Sequence, residues 1–196
     1  MKIQYPLSGT PPECECIDSV VINGNEYRIN ASFDKILRIF DLLSDETVSY
    51  AVRINAAIEI LICNDMCCME IEDKQMLLDS ILKHYSSKSS DDKPKVDLQG
   101  NPLPEKEQDE TYRINYDGDI IYASFLQAYG IDLINEQGKM HWFKFCALLK
   151  GLPKDTKFVE ICGYRSWEKP SKKDTYEKQM MKLKELYALP KEDGGG

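Results

Sequence analysis

The chain has 196 residues, 42% hydrophobic and 30% charged, which suits one medium domain or two small ones with a real core. Its formal net charge of −8 argues against nucleic acid as the main partner, because counterion release requires a basic face. No apolar run approaches the roughly 18 residues of a membrane span, and the opening MKIQYPLSGTPPECE lacks a signal-peptide apolar stretch, so a cytoplasm is the expected compartment.

The charge is uneven. Residues 1–85 carry 7 Lys and Arg against 14 Asp and Glu, whereas residues 169–184 carry 6 Lys against 2 acids. A solvated helix face explains the basic stretch simply, and attraction to the acidic half, within or between subunits, is the other explanation. Seven cysteines (14, 16, 63, 67, 68, 146, 162) are odd in number and point to reduced thiols.

SVVINGNEYRIN (Ser19–Asn30) predicts a β-hairpin. Val20, Val21 and Ile22 favour a strand, Asn23-Gly24 suits a type I′ turn, and Tyr27 and Ile29 alternate beyond it. A lone hairpin is marginal in water, so it must pack on the following helices or join another chain's sheet. From Ser32 the period turns helical: Phe33, Ile36, Leu37, Phe40 and Leu43 share a face, with Asn30 or Ser32 as cap. A second helix is expected over roughly Thr47–Cys63, with Val48, Ala51, Val52, Ile58, Leu61 and Ile62 toward the core. A third, roughly Glu70–Tyr85, uses Ile71, Leu77, Leu78, Ile81, Leu82 and Tyr85.

Residues 86–110 hold only Val96, Leu98 and Leu103 as apolar side chains, too few to offset ordering entropy, and read as a disordered linker. Beyond it, Asp117 or Asp119 can cap a helix to about Tyr129, stopped by Gly130. Further helices are expected over about Lys139–Lys150, over Asp155 to about Cys162 with Gly163 as stop, and over about Lys172–Tyr187. The tail 191–196 should be disordered. The predicted fold is mainly α: a helical bundle with a short N-terminal β-hairpin. Its parts are a hairpin with three helices (1–85), the linker (86–110) and a four-helix segment (111–190).

MHWFKFCALLKGL (Met140–Leu152) raises the question of a histidine-based site. Trp142, Phe143, Phe145, Cys146, Ala147, Leu148 and Leu149 cover most of the helix, leaving His141 and Lys144 as a narrow polar stripe. A catalytic His141 would need a nucleophile and an orienting carboxylate, and no GxSxG, HExxH or Gly-rich phosphate loop is present. A structural or interface histidine is favoured, on a helix covered by its own domain or by a partner. Cys63 and Cys67 at i, i+4, with Cys14 and Cys16, are a weak zinc candidate without any CxxC pair. No catalytic residue, metal or cofactor is therefore assigned. In GYRSW (Gly163–Trp167), Tyr164, Arg165 and Trp167 are of the kind enriched at interface hot spots. Alternatively, Arg165 caps helix carbonyls while Tyr164 and Trp167 seal the core, and both roles can coexist.

The run YDGDIIYASFLQAYGIDL, then MHWFKFCALLKGLPKDTKFVEICGYR and the downstream YALP, resembles the bacteriophage gene-product-fifteen family. The opening PL … VVINGNEYRINASFDKILRIFDLL is similar to the same family's start, with the linker and the cysteine-rich helix outside the likeness. The resemblance implies a siphophage protein encoded beside the tape-measure gene and acting as a tail assembly chaperone in the host bacterial cytoplasm. It would bind the tape-measure protein, with self-association and other tail assembly proteins as further contacts. The candidate contact residues are Tyr122, Phe125, Trp142, Phe143, Phe145, Tyr164, Arg165 and Trp167. A structural component retained in the tail is the alternative; a small metal- or histidine-dependent enzyme is a third.

Overall fold

The computed structural model describes residues 16–22, 24–63, 69–86, 111–169 and 176–190. The expected linker beyond Ser86, the tail 191–196, and Cys14, Cys67 and Cys68 lie outside the described residues. In chain order the elements are β1 (Ile17–Ile22), β2 (Asn25–Asn30), α1 (Phe33–Ser44), α2 (Tyr50–Leu61), α3 (Ile71–Ser86), α4 (Gly118–Tyr129), α5 (Trp142–Lys150), α6 (Lys157–Arg165) and α7 (Glu177–Leu186). The fold is mainly α with an antiparallel N-terminal hairpin, as the periodicity predicts.

Two compact units divide the chain: Met1–Leu103 with Ile134–Leu148, and Pro104–Leu133 with Leu149–Gly196. The division does not follow the 1–85 and 111–190 segments in simple order. Residues 134–148 join the N-terminal elements because their backbone pairs there: Phe33 N–H donates to Met140 O at 3.0 Å, and Trp142 N–H to Ala31 O at 2.8 Å. That pairing also delays α5 from the expected Lys139 to Trp142, since His141 forms an antiparallel bridge with Ser32 immediately before the helix.

In the first unit, β1 and β2 pair from Ile17↔Asn30 to Ile22↔Asn25, and Gly24 takes a positive φ of 83° at the turn. The hairpin packs on its own helices: Ile29 is fully buried and bridges Ile62, and Cys63 N–H donates to Arg28 O at 2.9 Å. α1 packs on α2 and α2 on α3. Of the two expected caps, Ser32 stands at the cap position of α1, and Asn30 Oδ1 accepts the Ser32 N–H at 3.2 Å in the turn before it. The Ser32 hydroxyl makes no capping bond.

The start of α2 is a correction. Asp45 Oδ1 accepts the Thr47 N–H (3.0 Å) and hydroxyl (2.6 Å), a local turn that competes with helix, so α2 begins at Tyr50 rather than Thr47. Its core face is then Ile54, Ala57, Ile58 and Leu61. Ala51 and Val52, expected in the core, are exposed: Val52 lies on the side opposite the buried face, and Ala51 sits in the open first turn. Arg53 Nη1 ties α2 to the end of α1 through Leu43 O at 2.7 Å, and Lys74 Nζ ties α3 to α2 through Asn55 Oδ1 at 2.8 Å.

In the second unit, α4 packs on α6 and α6 on α7. Gly130, at φ 66°, ends α4 as the sequence predicts. The core includes Ile121, Phe125, Phe158 and Ile161. Gly163 does not stop α6: the helix begins at Lys157 after its cap Thr156 and continues through Gly163 to Arg165. A mid-helix glycine costs about 1 kcal/mol, and the interior bonds of Arg165 described below outweigh it. α7 has no buried residue, and its expected start at Lys172 lies outside the described residues.

Candidate functional site

In the first unit the site grows from the residues flanking His141. The bridge between His141 and Ser32 brings the imidazole against β1, where Nε2 lies 3.0 Å from Asp18 Oδ2. Nδ1 accepts the Phe143 N–H at 3.1 Å, which places the ring proton on Nε2, toward the carboxylate. Both ring nitrogens are thus engaged in the unit's own bonds. Tyr85, at the end of α3, donates its hydroxyl to the same Asp18 Oδ2 at 2.5 Å. Burial pushes the Asp18 carboxyl upward, but the bonds from His141 and Tyr85 more than offset this and hold it below the usual value. Burial and the adjacent carboxylate push the Tyr85 phenol strongly upward.

Rings complete the cluster. Phe143 lies 5.2 Å from His141, 5.4 Å from Tyr85 and 5.9 Å from His84, so both histidines of the chain touch one phenylalanine. Behind it, Trp142 stacks near Phe145 (5.7 Å) and meets Phe40 edge-on (6.0 Å), and Phe145 stacks on Phe33 (4.9 Å). The buried Trp142 indole N–H donates to Tyr85 O at 3.1 Å. Trp142 and Phe145 are therefore interior residues, while Phe143 is half-buried.

The second unit is built around Arg165. Its guanidinium meets the Asp117 carboxylate in a two-pronged pair, Nη1 to Oδ2 at 2.6 Å and Nη2 to Oδ1 at 2.9 Å, with Asp117 only 1% exposed. Nη1 also donates to Thr111 O (3.1 Å) and Nε to Tyr187 O (2.6 Å). The bonds to Asp117 hold the guanidinium firmly charged, against the opposing effect of burial. Asp117 precedes α4 without capping it; its Oδ2 instead also accepts the Arg113 N–H at 3.0 Å. One arginine thereby joins the start of α4 to the ends of α6 and α7. Tyr187 stacks on Tyr164 at 5.7 Å, and Lys157 Nζ lies 5.1 Å over the Tyr187 ring.

Of the eight sequence-predicted contact residues, Phe125, Trp142, Phe145 and Arg165 are buried, and Tyr122, Phe143, Tyr164 and Trp167 are half-buried. Tyr164 and Arg165 sit on α6, so only Ser166 and Trp167 follow the helix where a loop from Tyr164 was expected. Sequence reasoning missed the roles of Asp18, Tyr85 and Tyr187; of Asp117 and Asp119 it is Asp117 that stands at the cap position of α4, but with its carboxylate given to Arg165. A lone acid inside IDSVVI was the available signal for an inward partner of Asp18. Cys16 is buried and Cys63 exposed, and no metal-holding group of His, Cys, Asp or Glu occurs among the described residues.

The fold and its two junctions define a mainly α-helical protein whose motif residues bind one another inside each unit. The chain belongs to the family described as Bacteriophage Gp15 protein, whose model matches residues 15–189. No curated protein and no solved structure matches it.

Proposed function

We propose that this protein is a phage tail assembly chaperone that binds the tape-measure protein during siphophage tail morphogenesis, in the host bacterial cytoplasm and without catalysis or cofactor. Family membership over residues 15–189 carries the reading. The engagement of both His141 ring nitrogens supports binding over base catalysis, since proton abstraction would first require breaking one of those bonds. No helix among the described residues is long and apolar enough to cross a membrane. Tyr122, Phe143, Tyr164 and Trp167 are the rings that retain exposed area for helix–helix contact, while Phe125, Trp142, Phe145 and Arg165 hold them in place.

Co-expression with the phage's tape-measure protein, followed by size-exclusion with light scattering, tests this reading. A soluble complex is expected, with the tape-measure protein insoluble when expressed alone. Absence of a complex, with this chain found instead in washed virions by mass spectrometry, would replace the chaperone by a structural tail component.

A further inference from the structure

β1 runs along the outside of the hairpin. Among the described residues it pairs with β2 alone, while β2 meets Ile62 on its other side. Two hydrogen bonds show which main-chain groups of β1 are spent. Ala31 N–H donates toward β1, to Cys16 O at 2.7 Å, whereas Arg28 O accepts from Cys63, away from β1. Main-chain groups alternate sides along an antiparallel strand, so Tyr27 and Ile29 face β1 and meet Val20 and Asp18. Ile17, Ser19 and Val21 therefore turn their N–H and C=O groups outward. IDSVVI has no proline, no lysine and no break in register; its one charge, Asp18, is engaged by His141 and Tyr85, and Val21 is 68% exposed.

We propose that β1 pairs antiparallel with β1 of a second copy, about a two-fold axis at Ser19. In that register Ile17 lies opposite Val21 of the partner subunit, and Ser19 opposite Ser19 of the partner subunit. Every outward group of Ile17, Ser19 and Val21 is then paired, whereas a slip of two residues either way leaves one of the three unpaired on each copy. Charge suits a second copy too. Asp18 is the only charge on the strand and falls opposite Val20 of the partner subunit, so like charges do not meet. The contact is self-complementary and closes at two chains, joining two two-stranded hairpins into one four-stranded sheet.

Size-exclusion with light scattering on the full chain tests this, with Val21→Pro as the main variant. Proline there removes only an outward N–H, so the hairpin's own ladder keeps its bonds. The expected result is a two-chain mass for wild type and a one-chain mass for Val21→Pro, with unchanged circular dichroism. Ser19→Pro, which removes the outward N–H at the axis on both copies, serves as a second variant if the first proline chain does not fold, and should also give one chain. A wild-type mass of one chain would overturn the proposal, with the edge left open or covered by another segment of the same chain. A two-chain mass unchanged in a folded variant would overturn it equally, by locating the interface elsewhere.

Discussion

The two units solve the same problem, joining distant segments of chain, with different chemistry. Around His141 the joint is a stack of rings, Phe33, Phe145, Trp142 and Phe40, with a polar rim of Asp18, Tyr85 and His141 at the edge of the core. Around Arg165 the joint is itself ionic, with Asp117 and Arg165 almost wholly removed from water. The contrast teaches where polar residues are expendable. A rim hydrogen bond to the half-exposed Asp18 carboxylate contributes about 1.5 kcal/mol, and the rings beneath it still pack without it. An ion pair at the centre of a joint cannot lose one partner without leaving a buried charge.

The largest predicted effect follows from that difference. Asp117→Ala strands the Arg165 guanidinium and should cost about 3–5 kcal/mol in urea unfolding. Trp142→Phe should cost about 1–3 kcal/mol, since it leaves Tyr85 O without its buried donor and shrinks the stack. If Trp142→Phe proved as costly as Asp117→Ala, the contrast between ring-held and ion-held joints would break. Tyr85→Phe, which removes one bond to the Asp18 carboxylate and keeps the ring, should cost about 1.5 kcal/mol by the same measurement.

Acid titration sharpens the comparison further. The folded Asp18 carboxyl ionises below its ordinary value of 3.8, so its contribution is complete above that pH and is lost as pH falls through the lowered value. Asp18→Asn should flatten this acid segment of the stability curve, measured by unfolding at a series of pH values. Tyr85 shows the opposite sign: its raised phenol contributes fully below pH 10.0 and loses that contribution as pH rises above it, an alkaline decline that Tyr85→Phe should reduce.

The sequence made the elements legible because their periods are strong. The hairpin, α1, α3 and the Gly130 stop follow from alternation, i, i+3, i+4 spacing and one left-handed glycine. What it concealed were contacts between segments far apart in the chain. Asp117 looks like a helix cap until Arg165, 48 residues away, is seen to occupy its carboxylate. Gly163 looks like a stop until the same arginine extends α6 past it. Likewise, Trp142, Phe145 and Arg165 have the composition of an interface, yet their units bury them. Residue type alone cannot separate a hot spot from a joint, because both use large rings and guanidinium groups.

The most direct test of this account is a double-mutant cycle on Asp117 and Arg165, each replaced by Ala, followed by urea unfolding. The predicted result is strong coupling, about 2–3 kcal/mol, with the double variant recovering part of what each single variant loses. Losses that add within about 0.5 kcal/mol, in variants that stay folded but lose the proposed binding to the tape-measure protein, would contradict it. They would make Arg165 a contact in its own right.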